Sequence, residues 1–176
     1  DPRRVPLVRL EPGEHGVRVI LGLGSARLWG YQARWEAPDL VLTLAAPPVL
    51  PRLGESIRPL EGLRVTLDPG HGGDDSGAIG RDGRLEKDVN LEVSQALRQD
   101  LEEAGAQVTM TRDSDCSVAA PGVSADQELG ARVRVAEEAG TQVFLSIHHN
   151  ARASVAEGRV SHGTHLYYFH PQSRVL

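Results

Sequence analysis

The chain has 176 residues, of which 40% are hydrophobic and 24% are charged, and its formal net charge is −5. These values allow one ordinary domain with a small additional segment and exclude a globally disordered chain. A negative net charge disfavours a nucleic-acid-binding protein, which needs a basic surface. The only cysteine, Cys116, excludes an internal disulfide and a cysteine-based zinc site. No stretch approaches the roughly 20 apolar residues of a transmembrane helix, so we expect no membrane-spanning segment.

Residues 1–50 are predicted to form a small β segment. The runs 17–21 and 40–44 are rich in β-branched and aliphatic residues, and the stretch 28–35 between them is predicted as a more irregular strand. We expect these strands to pair antiparallel. Both tryptophans of the chain lie in the middle stretch, and we expect them to pack a small core. A role in stacking against a ligand is left open.

The pattern changes after a proline-rich linker, which we place at residues 51–62. From residue 63 onward, strands alternate with helices, and this order is typical of a mostly parallel sheet covered by helices. The strands are predicted at 63–67, 107–111, 142–147 and 165–169. The sequence therefore predicts an α/β fold, with a twisted, mostly parallel sheet flanked by helices and preceded by the small β segment.

Two amphipathic helices are predicted between these strands. In the first helix apolar residues recur every four positions, with Asp88 as its N-cap and Gly105 at its end. The second helix ends near Gly140, and its apolar positions are Leu129, Val133 and Ala136. The polar stretch 113–126 between the second strand and this helix is predicted to be a loop.

Three residues are candidates for a metal site at the sheet edge. His71 follows the first strand of the larger domain, His148 directly follows the third, and Glu86 precedes the first helix. Ligands of open α/β sheets bind beyond the carboxyl ends of the strands, so the fold is expected to bring these positions together. Two imidazoles and one carboxylate are the ligand set of a catalytic zinc site, which leaves one position open for water. We therefore predict one Zn²⁺ bound by these side chains.

Two of these residues also have a simpler interpretation. His71 lies in a glycine-rich turn and alone would be an ordinary loop histidine, and Glu86 alone would be a solvated carboxylate at a helix start. The glycine-rich turn is also compatible with phosphate binding, although it lacks the lysine and hydroxyl residue of a P-loop and the GxGxxG pattern. The predicted convergence of the three side chains is what favours the metal site.

Several motifs resemble a known family. They are LDPGHGG at 67–73, DSGA at 75–78, EKDVNL at 86–91, TRDSD at 111–115 and VFLSIHHNA at 143–151, with Leu129 and Arg132 between the last two. In this order and spacing they resemble the zinc-dependent N-acetylmuramoyl-L-alanine amidases of the family 3 type, over roughly residues 63–170.

The resemblance implies a function and a set of site residues. The family's zinc ligands correspond to His71, Glu86 and His148, and its activity is hydrolysis of the amide between N-acetylmuramic acid and L-alanine of the stem peptide. We expect Gly72, His149 and Asn150 to contact the substrate. The family usually has a small residue at the position of His149, which we do not expect to be a metal ligand, because neighbouring side chains in an extended chain point in opposite directions.

The resemblance also implies a setting. The partner is expected to be peptidoglycan, with an activator or a division protein as a further candidate. The expected location is outside the cytoplasm, in the periplasm or cell wall of a bacterium. Residues 1–50 weakly resemble part of an AMIN module, a β domain that localises some amidases.

One expected part is not found in the sequence. The family's general-base glutamate lies in a late strand, which we expect beyond residue 176, so residues 63–176 correspond to a catalytic domain without its C-terminal strand and helix. Two alternatives to an amidase therefore stay open. One is a cell-wall-binding module of amidase-like fold without turnover, and the other is a zinc peptidase that cleaves within the stem peptide.

Overall fold

The computed structural model describes residues 7–25, 27–52, 54–150 and 163–167. It divides into two units, of which the first contains the described residues up to Pro47 together with 163–167, and the second begins at Pro48. Among the described residues, no helix has both the length and the apolar character needed to cross a membrane. The predicted bounds of the β segment and the linker stay predictions.

The first unit contains two antiparallel β-ribbons. Strand β1 (Leu7–Gly13) pairs with β2 (Gly16–Gly22), and β3 (Gly30–Glu36) pairs with β4 (Asp39–Ala45). The two pairs form separate two-stranded sheets. The expected antiparallel pairing is confirmed for β3 with β4, whereas β2 pairs with β1, which was not predicted from the sequence.

Each ribbon has one apolar face. Directly opposed residues such as Leu10 and Val19, or Trp35 and Leu40, lie on the same face, because side chains alternate along a strand. These faces are open to solvent, and the Trp35 residue is 70% exposed. The prediction that both tryptophans pack a small core is therefore wrong for Trp35, because a two-stranded ribbon has no second layer of its own to cover this face.

The second unit contains a parallel three-stranded sheet. Strand β5 (Arg64–Pro69) lies in the centre, between β6 (Gln107–Met110) and β7 (Val143–Ile147). Helix α1 (Glu86–Glu103) connects β5 to β6, and α2 (Ala125–Glu138) connects β6 to β7. The α/β fold predicted from the alternating pattern is confirmed.

The central strand β5 presents a different chemistry on each face. Val65 and Leu67 are buried in an apolar cluster that also involves Leu97 and Leu101 of α1. Asp68 is also buried, at 4% exposure, and its carboxylate is hydrogen-bonded by polar side chains from other segments. The apolar face therefore anchors the strand against α1, and the polar face reaches the sheet edge that carries the candidate site.

The start of α1 differs from the prediction. The helix begins at Glu86 with Leu85 as its N-cap residue and no side-chain cap, so the assignment of Asp88 as the N-cap is wrong. The amide of Glu86 donates to the carbonyl of Ala78 at 2.8 Å, and Leu85 forms a β-bridge with Ile79. Pairing with the preceding loop thus fixes the helix start, and local sequence cannot reveal such pairing.

The helix ends agree with the sequence, and one predicted strand does not. Gly105 and Gly140 follow α1 and α2 with positive φ angles of 101° and 59°, so both predicted ends are confirmed. Residues 165–167 are not in a strand, so the prediction of a strand at 165–169 is wrong for this part. Residues 168 and 169 lie outside the described residues.

Candidate metal centre

His71, Glu86 and His148 come together in the second unit. His71 lies two residues after β5, Glu86 is the first residue of α1, and His148 directly follows β7. One potential ligand atom from each residue lies within 4.8 Å of the others. Oε1 of Glu86 is 3.3 Å from Nε2 of His71 and 3.1 Å from Nδ1 of His148. The structure thus brings the three side chains to one point, and their role as ligands stays a prediction.

The orientation of His71 fits a metal site. Its Nδ1 atom lies 2.8 Å from Oδ2 of Asp75. Because an ionised carboxylate only accepts hydrogen bonds, Nδ1 carries a hydrogen, which in the neutral ring leaves the lone pair on Nε2, the atom that faces Glu86. The hydrogen bond from His71 is also the main cause that holds the pKa of Asp75 below its ordinary value. A donor set of two imidazoles and a carboxylate, with one ring already oriented by a carboxylate, fits zinc.

Glu86 is buried and strongly hydrogen-bonded. The residue is 5% exposed, and its carboxylate accepts from the amides of Ala78 at 2.9 Å and His149 at 3.1 Å. Burial alone favours the neutral acid, but these hydrogen bonds and the nearby imidazoles outweigh burial and hold the pKa of Glu86 below its ordinary value. The carboxylate is therefore ionised at neutral pH, which is the form that binds a cation.

The glycine turn, residues 69–73, is held by two buried arginines. Arg112 donates to the carbonyls of Pro69 and Gly70 at 2.9 and 3.0 Å. Arg132 donates to the carbonyls of Pro69 and His71 at 3.0 and 2.9 Å. His71 has a left-handed backbone with φ of 62°, which is uncommon for a residue other than glycine. These hydrogen bonds stabilise the backbone conformation that directs the His71 ring toward Glu86.

A buried carboxylate connects the arginines to the sheet. Asp68 accepts from Arg132 and from the hydroxyl groups of Thr111 and Ser146, each at 2.7 Å. Arg132 also pairs with Glu128, four residues earlier in α2, at 2.9 Å. Because the three partners of Asp68 come from different segments, this network fixes β5, the end of β6, α2 and β7 around the base of the site.

Two glycines leave room for the candidate ligands. A side chain at Gly70 would place its Cβ atom 2.2 Å from Cε1 of His148. A Cβ atom at Gly77 would lie 2.6 Å from Cδ2 of His71 and 2.9 Å from the Cβ atom of Glu86. Any larger residue at either position would therefore displace a candidate ligand.

Gly72 has a similar constraint with a different neighbour. A Cβ atom there would lie 2.4 Å from the carbonyl oxygen of Cys116 and 2.8 Å from Nε of Arg112. The space beside Gly72 is thus filled by the protein itself. A contact of Gly72 with substrate stays a prediction, and close packing already explains why this position has no side chain.

A lysine and an aspartate form hydrogen bonds with Gly73, at the end of the glycine turn. Lys87 donates to the carbonyl of Gly73 and to Oδ2 of Asp115, both at 2.7 Å, while the amide of Gly73 donates to Oδ1 of Asp115 at 2.8 Å. The hydrogen bond from Lys87 is the main cause that lowers the pKa of Asp115. These hydrogen bonds connect the turn to α1 and to the loop after β6.

A pocket of about 220 Å³ adjoins the candidate metal centre on the side of Glu86. Its other lining residues are Ala78, Gly80, Asp82, Arg84, Val89 and His149. His149 was predicted to contact substrate, and the structure places it in this lining. Asn150 follows it and is exposed.

Sequence reasoning did not assign roles to several residues that build this site. Asp75 could have been found, because a metal-bound histidine commonly donates its other ring N–H to a carboxylate, and Asp75 lies only four residues after His71. Arg112 and Arg132 carried no such signal, because arginine is mostly an exposed residue and only the fold reveals that these two are buried. Asn90 was likewise part of a motif without an assigned role.

Comparison with known proteins identifies the family. A family model described as N-acetylmuramoyl-L-alanine amidase matches residues 65–176. The chain belongs to this amidase family. The amidase resemblance drawn from the motifs is thereby confirmed, while the likeness of the first unit to an AMIN module stays a prediction.

Individual relatives of the amidase family match part of the chain. The germination-specific N-acetylmuramoyl-L-alanine amidase of Bacillus subtilis strain 168 is 44% identical over 99 residues, covering 53% of this chain and 41% of that relative. The amidase LytC of the same organism is 35% identical over 123 residues, covering 69% and 22%. The solved structure of the amidase AmiC2 of Nostoc punctiforme is 41% identical, covers 53% of this chain and 47% of that chain, and has a TM-score of 0.44. The chain spans less than half the length of each of these proteins.

Proposed function

We propose that the protein is a peptidoglycan hydrolase that cleaves the amide between N-acetylmuramic acid and the L-alanine of the stem peptide. The observation that carries this proposal is the convergence of His71, Glu86 and His148, with potential ligand atoms within 4.8 Å of one another, in a chain of the amidase family. The proposed cofactor is a single Zn²⁺ held by these three residues. The proposed site of action is the cell envelope of a bacterium, because that is where the substrate is found.

The residues of the chain have separate tasks in this reaction. A zinc ion bound by such a ligand set supplies Lewis acidity, which makes water a nucleophile near neutral pH and polarises a carbonyl group. Asp75 holds His71 in the tautomer that exposes Nε2, and the amides of Ala78 and His149 keep Glu86 ionised. The buried arginines hold the glycine turn before any metal binds, so less reorganisation accompanies binding.

The proposed substrate contacts lie next to the ligands. His149 lines the pocket beside Glu86, and Asn150 follows it at the exposed end of the same segment. Gly72 is the third proposed contact, through its backbone. We expect these neighbours to hold the stem peptide beside the proposed metal centre.

Mass spectrometry of digested peptidoglycan tests the proposal. The protein, in the longest form its gene encodes and loaded with zinc, is expected to release peptides that begin with L-alanine and to leave the glycan intact. His71→Ala is expected to lose both bound zinc and peptide release, because the remaining two ligands hold zinc weakly. His15→Ala, at an exposed turn of the first unit, is the matched control and is expected to keep both.

Other digestion products would replace the proposal with a specific alternative. Cleavage between residues of the stem peptide would identify a zinc peptidase. Binding of peptidoglycan fragments without any cleavage would identify a wall-binding module of amidase fold. Unchanged zinc content in His71→Ala would contradict the assignment of the metal centre itself.

A further inference from the structure

Next to the metal centre, a buried asparagine fixes the imidazole of His149. Asn90 of α1 is 0% exposed, and its Nδ2 atom donates to the carbonyl of Gly70 at 3.1 Å. A carbonyl cannot donate, so this bond determines which end of the amide is nitrogen. The amide oxygen, Oδ1, therefore lies on the side of His149, 2.8 Å from its Nδ1 atom.

The hydrogen bond to Asn90 also fixes the tautomer of His149. Because an amide oxygen only accepts, Nδ1 of His149 carries a hydrogen, and in the neutral ring the lone pair lies on Nε2. Nδ1 is committed to the buried Asn90, and Nε2 is the ring nitrogen left for a ligand, since His149 itself is an exposed residue. The amide of His149 is held as well, by Oε1 of Glu86 at 3.1 Å.

His149 lines the pocket beside Glu86. Two charged side chains of that pocket already have partners within the protein. Arg84 pairs with Glu92 at 2.6 Å, and Oδ1 of Asp82 accepts from the amide of Arg84 at 3.2 Å. With Nδ1 committed to Asn90, Nε2 is the ring atom of His149 left to accept a hydrogen bond in the pocket next to the candidate metal centre, and an N–H donor is the ligand group that matches it.

We propose that His149 is a substrate-binding residue whose Nε2 accepts a hydrogen bond from a backbone N–H of the stem peptide, in a subsite oriented by Asn90. This inference rests on the proposed amidase function, because a stem peptide extending from the metal centre supplies such N–H groups. It gives His149 a role in substrate positioning that does not require it to touch the metal.

Three replacements of His149 distinguish the role of Nδ1 from the role of Nε2. Asparagine can imitate Nδ1 and keep the bond to Asn90, but it does not reach the position of Nε2. Glutamine places its amide near the position of Nε2 and so keeps the acceptor, while alanine removes both groups. All three replacements leave the backbone amide that contacts Glu86 in place.

The experiment measures binding and cleavage of N-acetylmuramoyl-L-alanyl-D-isoglutamine at about pH 8, where an ordinary imidazole is neutral. In the zinc-loaded protein, His149→Asn and His149→Ala are expected to raise KM and the muropeptide Kd by about 5- to 10-fold, as expected for one lost hydrogen bond. The change in kcat is expected to be smaller, and His149→Gln is expected to recover part of the binding. Zinc affinity is expected to be unchanged in all three variants, and His15→Asn serves as the control.

The outcomes distinguish this inference from the proposed function. If the unchanged protein cleaves the muropeptide and His149→Asn binds it equally well, the subsite is overturned while the amidase assignment stands. If the unchanged protein binds the muropeptide without cleaving it and His149→Asn weakens that binding, the subsite stands and the amidase assignment fails. Absence of muropeptide binding to the unchanged protein overturns both. A parallel loss of zinc affinity in His149→Asn would show a structural role and would also overturn the subsite.

Discussion

His71 combines a left-handed backbone with a ring oriented by Asp75, at a distance of 2.8 Å between Nδ1 and Oδ2. Without this carboxylate the ring loses its fixed tautomer and part of its basicity. We expect Asp75→Ala to weaken zinc binding by about 10- to 100-fold, as outer partners of metal-bound histidines commonly contribute. Competition with a chelator of known affinity measures this change. Asp74→Ala, at the exposed neighbouring position, is the control, and equal affinities in the two variants would contradict the role of Asp75.

Gly70 offers a second test at the scale of single residues. The Cβ atom of Gly70→Ala would overlap the His148 ring at 2.2 Å, so the ring must move out of its position. We expect zinc affinity to fall by at least about tenfold. Gly130→Ala in α2 is the matched control, because its nearest neighbour would be Nη1 of Arg134 at an ordinary 3.5 Å. That control is expected to stabilise the helix by about 1 kcal/mol and to leave zinc affinity unchanged.

The candidate ligands were predictable from sequence because each follows a strand or begins a helix at the same sheet edge. The residues that support these ligands were harder to predict from the sequence. Arg112 and Arg132 are 4% and 6% exposed, yet nothing local distinguishes them from the exposed arginines of the chain. Their burial depends on the carbonyls of the glycine turn, which face them only after the sheet and helices have assembled.

At the scale of elements, α2 shows where the apolar pattern misleads. The sequence suggested a face formed by Leu129, Val133 and Ala136, but the first two residues are 60% and 52% exposed. The buried face instead contains Ala131, Arg132 and Ala136. The helix itself was predictable from its period, whereas its orientation depends on the ion pair between Arg132 and Asp68, which connects residues 64 positions apart.

Helix α2 also supports the preceding loop through Glu128. Its two carboxylate oxygens accept from the amides of Val118 and Ala119 at 2.9 and 2.7 Å. Burial favours the neutral acid, but these hydrogen bonds and the ion pair with Arg132 outweigh burial and hold the pKa of Glu128 below its ordinary 4.5. A group with a lowered pKa stabilises the folded state above its unfolded pKa, and this contribution is lost as pH falls toward the folded pKa.

The pH dependence of unfolding tests this support. In the presence of a chelator, we expect the free energy of unfolding to fall more steeply between about pH 5 and pH 3 in the unchanged protein than in Glu128→Gln. Denaturant titrations at each pH measure the difference. Glu138→Gln, at the exposed end of α2, is the control. Parallel curves for the unchanged protein and Glu128→Gln would contradict the prediction.

At the scale of the whole molecule, the two units differ in how their strands are protected. Strand β5 is paired on both sides and buried along Val65–Pro69, whereas each ribbon of the first unit has two strands and an exposed apolar face. An isolated two-stranded ribbon is marginally stable in water. The alternation of apolar residues made the ribbons partly predictable, but β1 was missed because its apolar run is short and broken by charged residues.

Hydrogen exchange followed by mass spectrometry tests this difference. We expect amides of β5 to exchange most slowly among the described residues. Amides of the four ribbon strands are expected to exchange faster by orders of magnitude, because local opening of a two-stranded ribbon requires less free energy. Measurement at one pH in one sample provides its own internal control. Ribbon amides as slow as those of β5 would contradict the prediction and would indicate that the apolar faces are covered in solution.

Lys87 is the only lysine in the sequence, and its side chain is 11% exposed while its ammonium group binds Gly73 and Asp115. Within these 176 residues, acylating reagents therefore encounter a single side-chain amine, and that amine must leave its partners before it can react. The rate of this modification would report how often Gly73, at the end of the glycine turn, separates from Lys87 of α1. The rate of acylation at Lys87 thus measures how often the candidate active site opens.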